Sequence, residues 1–208
     1  MMPLIIRKPP FLLQQILPKS LSWQVITSGK AVFLTFDDGP TPGVTEKILD
    51  ILRSYSAQAT FFCVGENVAK NPGLYQRILE EGHAVGNHTF NHLNGWKTPT
   101  DIYLDNVIKC RNHIDSALFR PPYGRLTRSQ IAALKKDYRI IMWSFLSMDY
   151  DRRVSKEKCL ANVKKNLKPG SVIVFHDSLK AAETVKFVLS KFIEFIETEG
   201  YSTKPIEG

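Results

Sequence analysis

Ala31-Val-Phe-Leu-Thr-Phe-Asp-Asp-Gly-Pro40 is an apolar run that stops on two adjacent carboxylates and a Gly-Pro turn. Such a run reads as a β-strand. A helix should follow it, because Val44, Ile48, Ile51, Leu52 and Tyr55 fall on one face, as in an outer helix packed on a sheet. The same alternation continues along the chain. Strands are expected at 31–36, 59–64, 83–87, 117–120, 139–145 and 171–176, with a weak seventh after Tyr201. Helices are expected near 44–55, 73–81, 100–115, 127–136, 155–166 and 180–199. Gly82 and Gly200 suit helix C-termini, while Pro99 and Pro169 mark loops. Regular β-α alternation implies parallel strands joined by right-handed crossovers. Six or seven such strands suit a barrel-like α/β domain.

Asp37 and Asp38 have little structural use side by side, since like charges repel. A solvated turn with an Asp cap for the next helix is the plain alternative. A metal ligand beside a general base would use both acids. His88-Thr-Phe-Asn-His92 places two imidazoles at i and i+4, one face of a helix or helical turn, close enough to share a cation. With one of the acids they make a two-His, one-carboxylate set, which leaves coordination positions open for water and substrate. His83 and His113 have no comparable partners and read as structural or surface residues. Two further clusters are Arg120-Pro-Pro-Tyr-Gly124 and Leu167-Lys-Pro-Gly-Ser-Val-Ile-Val-Phe-His-Asp177. Asp37, Asp38, His88, Arg120, Asp149 and His176 all fall at the C-terminal ends of expected strands, the face on which α/β barrels build active sites. One convergent site is expected.

Thr35-Phe-Asp-Asp-Gly39, His88-Thr-Phe-Asn-His92, Arg120-Pro-Pro-Tyr-Gly124 and Leu167 to His176 resemble, in order, the motifs of the NodB-homology polysaccharide deacetylases, carbohydrate esterase family 4. The resemblance covers roughly residues 31–202. It implies a single-domain irregular (β/α) barrel over residues 31–208. Residues 1–30, basic and Pro-rich, precede the first clear strand and are expected to pack on that barrel as a leader. It also implies metal-dependent hydrolysis, at a carbon-nitrogen bond other than a peptide bond, of acetyl groups on N-acetylated amino sugars. The substrate would be a chitin-like or peptidoglycan-like polysaccharide or oligosaccharide.

By the same resemblance Asp38, His88 and His92 would hold a divalent ion, Zn²⁺ first, with Co²⁺ or Ni²⁺ as alternatives. Asp37 would be the general base, Arg120 its ion-pair partner, and the Tyr123 backbone N–H an oxyanion donor. His176 would protonate the departing amine. Pro121, Tyr150 and Val174 would line the substrate pocket. One stretch departs from the pattern: Trp143-Ser-Phe-Leu-Ser-Met-Asp-Tyr150 has Leu146 where similar proteins carry the Asp that orients the catalytic His. Tyr150 replaces a Trp there. Unless Asp149 or Asp177 reaches the ring, His176 is expected to have lost its carboxylate and to titrate low. Two other functions use the same features: an amidohydrolase on another small C–N substrate, and a sugar-binding module without catalysis. The last would require loss of a ligand or the base, and all are present.

At 208 residues and 43% hydrophobic, the chain can bury a full core as one domain. Its net charge is +8, and residues 1–30 hold Arg7, Lys8, Lys19 and Lys30 with no acid. No motif points to nucleic acid. Phe11-Leu-Leu-Gln-Gln-Ile-Leu17 is short and polar-interrupted, with no clean cleavage site, so neither a signal peptide nor a transmembrane segment is evident. Cys63, Cys110 and Cys159 lack metal-motif spacing and are expected to be buried small hydrophobes. They favour a reducing compartment, whereas the substrates of similar enzymes are envelope polymers.

Overall fold

In the computed structural model, which describes residues 18–208, strands and helices alternate for most of the chain. The elements are β1 (Leu21–Ser22), β2 (Ala31–Asp37), α1 (Thr45–Ser54), β3 (Ala59–Cys63), α2 (Gly65–Lys70), α3 (Pro72–Glu80), β4 (Ala84–Asn87) and α4 (Thr100–Arg111). They continue with β5 (Leu118–Phe119), α5 (Arg128–Leu134), β6 (Arg139–Ile141), β7 (Phe145–Leu146), α6 (Lys156–Asn166), β8 (Val172–His176), α7 (Ala182–Thr198) and β9 (Ser202–Thr203). Arg7, Lys8 and the Phe11–Leu17 segment of the leader lie outside the described residues.

Every pairing between strands is parallel, in the order β1-β6-β5-β4-β3-β2-β8-β7, with β9 added at the start of β2. The centre is β2, buried along its whole length between β3 and β8. Its side chains alternate between two apolar environments. Val32, Leu34 and Phe36 pack outward in the main core under the helices. Phe33 packs inward with Phe62, Leu118, Ile141 and Val172. Two residues per step then carries Thr35 and Asp37 up the same inner face. The register is direct: Asp37 pairs with His176 on β8 and with Phe62 on β3.

The apolar run 139–145 does not form one strand. It splits into β6 and β7, which sit near opposite edges of the sheet, separated in sequence only by Met142–Ser144. A chain spans at most about 3.3–3.6 Å per residue, so so short a link requires the sheet to curl until its edges nearly meet. Residues 21–25 fill the remaining seam. Met142 N–H donates to Ser22 O, the Ser144 hydroxyl donates to Trp23 O, and Val25 N–H donates to Gly170 O. Trp23 meets Trp143 edge-on, with ring centroids 6.2 Å apart. The result is a curled parallel sheet with helices outside, the expected α/β barrel type. It has nine strands among the described residues rather than six or seven, because β1 is a two-residue strand with no hydrophobic period to betray it and β6 and β7 are separate. Helix α2 was likewise too short to register as a period. The weak strand after Tyr201 is β9. All three cysteines are free and buried. No helix among the described residues is long and apolar enough to cross a membrane.

Candidate active site

The C-terminal ends of β2, β4, β5, β7 and β8 surround one cleft of about 590 Å³. Asp37, Asp38, His88, His92, Pro121, Tyr123, Tyr150, Val174 and His176 all line it. Arg120 lies beneath its floor, fully buried. The structure thus brings together every candidate residue named from the sequence.

Asp37 ends β2 on the inner face, where Arg120 Nη1 donates to its Oδ1 at 2.7 Å. The guanidinium is otherwise consumed by the fold: Nη1 to the Thr35 hydroxyl, Nε to Ile141 O, Nη2 to Met142 O, and its flat face 4.0 Å from the Phe62 ring. Arg120 therefore presents one fixed cation to one carboxylate. Removing either partner of such a buried pair strands the other, at about 3–5 kcal/mol.

Asp38 turns away from Asp37 because its φ is 87°. The turn is held from below: Asp177 accepts from Gly39 N–H at 2.8 Å and from the Thr45 hydroxyl at 2.7 Å. Gly39 has no alternative there, since a Cβ would sit 1.8 Å from Asp177 Oδ2. Asp38 Oδ1 lies 3.1 Å from His92 Nε2 and 4.0 Å from His88 Nε2. One ligand atom from each of the three lies within 4.8 Å of the others, so they could hold a metal ion. The imidazoles are prepared for it. His88 Nδ1–H donates to Arg120 O at 2.7 Å, which leaves the Nε2 lone pair facing Asp38. Burial pushes the His88 ring down to about 4, against the pull of Asp37, so it is neutral near pH 7. Burial raises the Asp38 carboxyl, but the His92 hydrogen bond and the fields of His176, His88 and His92 outweigh it and hold it well below the usual range. Two imidazole donors and one carboxylate are the borderline donor set that binds Zn²⁺ and its neighbours.

The His pair is not helical. It spans a loop in which Thr89 and His92 have φ of 62° and 55°. Thr89 Oγ1 accepts from Leu93 N–H, and Asn106 Oδ1 accepts from Phe90 N–H and Asn91 N–H. The i, i+4 spacing pointed to the right pair, but side-chain caps from α4 and the loop itself replace the helical turn. His92 Nδ1 is 3.1 Å from the Tyr123 hydroxyl. Tyr123, at φ 61°, follows β5, and its N–H has no hydrogen-bond partner among the described residues. Five of the six non-glycine residues with positive φ, Asp38, Thr89, His92, Tyr123 and Met148, are at or beside this cleft. Strained residues gather where geometry serves chemistry, at about 1–3 kcal/mol each.

His176 has not lost its carboxylate. Its Nδ1–H donates to Asp149 Oδ1 and its backbone N–H to Asp149 Oδ2, both at 2.8 Å. Burial opposes the charged ring, but Asp149, with Asp38 and Asp37 beyond it, pushes the pKa up to about 9. Asp149 is thus the acid that reaches the ring, one of the two that the sequence left open, and the condition for a low-titrating His176 is not met. β7 ends at Leu146, and Met148, at φ 73°, folds the next turn back so that Asp149 passes under the ring. Leu146 pairs in register with Val174, and the two form an apolar wall of the cleft. Tyr150 stands edge-on to His176, centroids 4.7 Å apart. Sequence reasoning missed Trp143 and Gly124 in the lining. Gly124 is the signal that existed: a Cβ there would meet the Trp143 ring at 2.3 Å.

Comparison with known proteins agrees with this geometry. Residues 24–139 match the family model described as polysaccharide deacetylase, more than half of the 208 residues. A peptidoglycan-N-acetylglucosamine deacetylase of Bacillus cereus is 32% identical over 188 residues, covering 87% of this chain and 88% of that protein. A chitooligosaccharide deacetylase of a Bradyrhizobium species is 30% identical over 202 residues, covering 87% and 91%. The solved structure of the Bc1960 peptidoglycan N-acetylglucosamine deacetylase superposes with a TM-score of 0.87 at 32% identity, over 95% of each chain. The family match takes in the motifs from Thr35 to Gly124, the relatives cover most of the chain, and the chain belongs to the polysaccharide deacetylase family of hydrolases.

Proposed function

We propose that this protein removes acetyl groups from N-acetylated amino sugars of a polysaccharide or oligosaccharide, with a divalent ion, Zn²⁺ by its donor set, held by Asp38, His88 and His92. The observation that carries the reading is a pair of proton carriers in register on adjacent strand ends beside that triad: Asp37, ion-paired to Arg120, and His176, doubly bonded to Asp149. When bound, such an ion polarises an acyl carbonyl and makes water more acidic. Asp37 takes the proton from the attacking water, since its carboxylate is fixed by Arg120 and faces the cleft. The unpaired Tyr123 N–H donates to the oxygen on which charge develops. His176, charged at neutral pH, hands its proton to the departing amine. Leu146 and Val174 give the acetyl methyl an apolar wall.

The relatives' names, peptidoglycan-N-acetylglucosamine deacetylase and chitooligosaccharide deacetylase, support an acetylated glycan as substrate. So does the open cleft, which is larger than a small amide requires. An amidohydrolase of small C–N substrates remains the second reading, through the same constellation. Acetate release decides. It is expected from N-acetylated glycans, to disappear on chelation and to return with Zn²⁺. Persistent release in excess chelator, or release only from small amides, would overturn the proposal.

A further inference from the structure

His88 and His92 both turn Nε2 toward Asp38, and both have Nδ1 occupied from one short stretch, Arg120 to Gly124. The two holds differ in kind. His88 is buried, and its Nδ1 meets a backbone carbonyl, Arg120 O, at 2.7 Å. A carbonyl only accepts, so the fold alone fixes the Nε2 lone pair of His88. The His92 side chain is 29% exposed, and no backbone group among the described residues bonds its ring. Its Nδ1 meets the Tyr123 hydroxyl at 3.1 Å, with the two rings edge-on and their centroids 4.7 Å apart.

A hydroxyl donates or accepts as its partner requires, so two arrangements fit the same heavy atoms. In one, the Tyr123 O–H donates to Nδ1, and Nε2–H donates to Asp38 Oδ1, 3.1 Å away. In the other, Nδ1–H donates to the Tyr123 oxygen and Nε2 keeps its lone pair. The ring carries one proton in each. Passing between them releases a proton from Nε2 to water and takes one from water at Nδ1, while the phenol rotates. Only the second arrangement can ligate an ion through Nε2, and a partner on the opposite nitrogen is what holds a ligating imidazole in it.

Tyr123 is placed for this contact rather than for packing. It is 59% exposed, and its φ of 61° is left-handed. The turn around it is rigid: Gly124 N–H donates to Pro121 O, and a Gly124 Cβ would come within 2.3 Å of the Trp143 ring. Tyr150 gives the contrast. It also stands edge-on to a histidine, His176, at 4.7 Å, but its hydroxyl goes to Met148 Sδ, and His176 Nδ1 is taken by Asp149.

We propose that the Tyr123 hydroxyl is the positioning partner of His92, accepting its Nδ1–H and so keeping Nε2 turned to the ion as a lone pair. This rests on the metal-dependent deacetylase reading and deepens it at the same site. Tyr123 then serves twice, because its backbone N–H is the oxyanion donor of the proposed reaction. Ion binding at His92 and the placement of that donor are joined through one phenol.

Tyr123→Phe removes the hydroxyl and keeps the ring and the backbone N–H. Zn²⁺ binding to the full chain, followed by calorimetry, should weaken on the order of tenfold. The Tm of the chelated protein should stay where it is, since the hydroxyl is not part of the core. Tyr150→Phe should keep the wild-type Zn²⁺ affinity. Nitrogen NMR of the histidine-labelled, Zn²⁺-loaded wild type should show His92 protonated at Nδ1, with that N–H exchanging faster with water in Tyr123→Phe. Equal Zn²⁺ affinity in Tyr123→Phe and wild type, an equal loss in Tyr150→Phe, or a lower chelated Tm in Tyr123→Phe overturns the proposal. Acetate release keeps the two claims apart. Weaker Zn²⁺ binding in Tyr123→Phe, with no acetate from any N-acetylated glycan in the wild type, removes the deacetylase reading and leaves Tyr123 as the partner of His92. Zn²⁺-dependent acetate release with equal Zn²⁺ affinities does the reverse.

Discussion

His176 gives Asp149 both of its polar hydrogens on that side, one from the ring and one from the backbone. A carboxylate held this way fixes the ring orientation and favours its protonated form, which an acid catalyst needs when the amine departs. Asp149→Asn keeps the shape and removes the charge. Burial, which opposes protonation, is then unbalanced, and the His176 pKa should fall from about 9 toward or below its ordinary 6.5. In the proposed mechanism activity needs the protonated ring and is lost above its pKa, so the alkaline limb of the pH–rate profile should move down by a similar interval. The stability effect has the same sign. A folded pKa above the unfolded one stabilises fully below 6.5 and loses that contribution as pH rises through 9. A rate profile unmoved in Asp149→Asn would remove His176 from the acid role. Of this arrangement, the sequence showed that Asp149 was present and that Leu146 could not serve. It could not show which acid reached the ring, because that depends on Met148 entering a left-handed conformation that its side chain does not announce.

At the scale of elements, the site is made by what happens immediately after each strand. Period-two alternation in β2 is legible and puts Asp37 inward over Phe33 and Thr35; the opposite turn of Asp38 is not, since it depends on a positive φ and on Asp177 two strands' connections away. The His88–His92 loop was read through its spacing, which is compatible with a helical turn, yet Thr89, Asn87 and Asn106 give its N–H groups better partners than a helix there could. The apolar run 139–145 read as one strand because burial on both sides of a seam looks the same as burial in a strand. Gly39 offers the sharpest test of the β2–α1 turn. Gly39→Ala drives a Cβ into Asp177, so either the turn or the carboxylate must move. Overpacking of this kind costs about 1–3 kcal/mol, and the displaced element carries Asp38. The variant should melt earlier and bind Zn²⁺ less tightly, while Gly43→Ala, whose Cβ meets nothing, bears only the strain of its positive φ and should keep its Zn²⁺ affinity. Equal Zn²⁺ affinity in Gly39→Ala and wild type would show that the turn does not position Asp38.

For the whole molecule, the three candidate ligands come from two separate strand ends, Asp38 after β2 and His88 and His92 after β4, with β3 between them in the sheet. In the unfolded chain Asp38 and His88 are fifty residues apart and have no reason to meet. An ion that needs all three therefore binds only the closed sheet and draws the folding equilibrium toward it. The same sheet is closed late in sequence, by the Met142–Ser144 link and the seam formed with residues 21–25, so ligand binding reports on closure of the entire barrel. At a free Zn²⁺ concentration one hundred times its dissociation constant, the stabilisation is about 2.7 kcal/mol. A domain of this size shifts its melting temperature by about 2–4 °C per kcal/mol, so Zn²⁺ should raise Tm by roughly 5–10 °C over the chelated protein. His92 is the candidate ligand to remove, because it is partly exposed and in a loop, so His92→Ala opens no fully buried cavity. That variant should melt near the chelated wild type and lose most of its response to Zn²⁺. An undiminished Zn²⁺ shift in His92→Ala would place the ion elsewhere on the surface; no shift in the wild type would mean that Asp38, His88 and His92 are held together by the fold for something other than a metal.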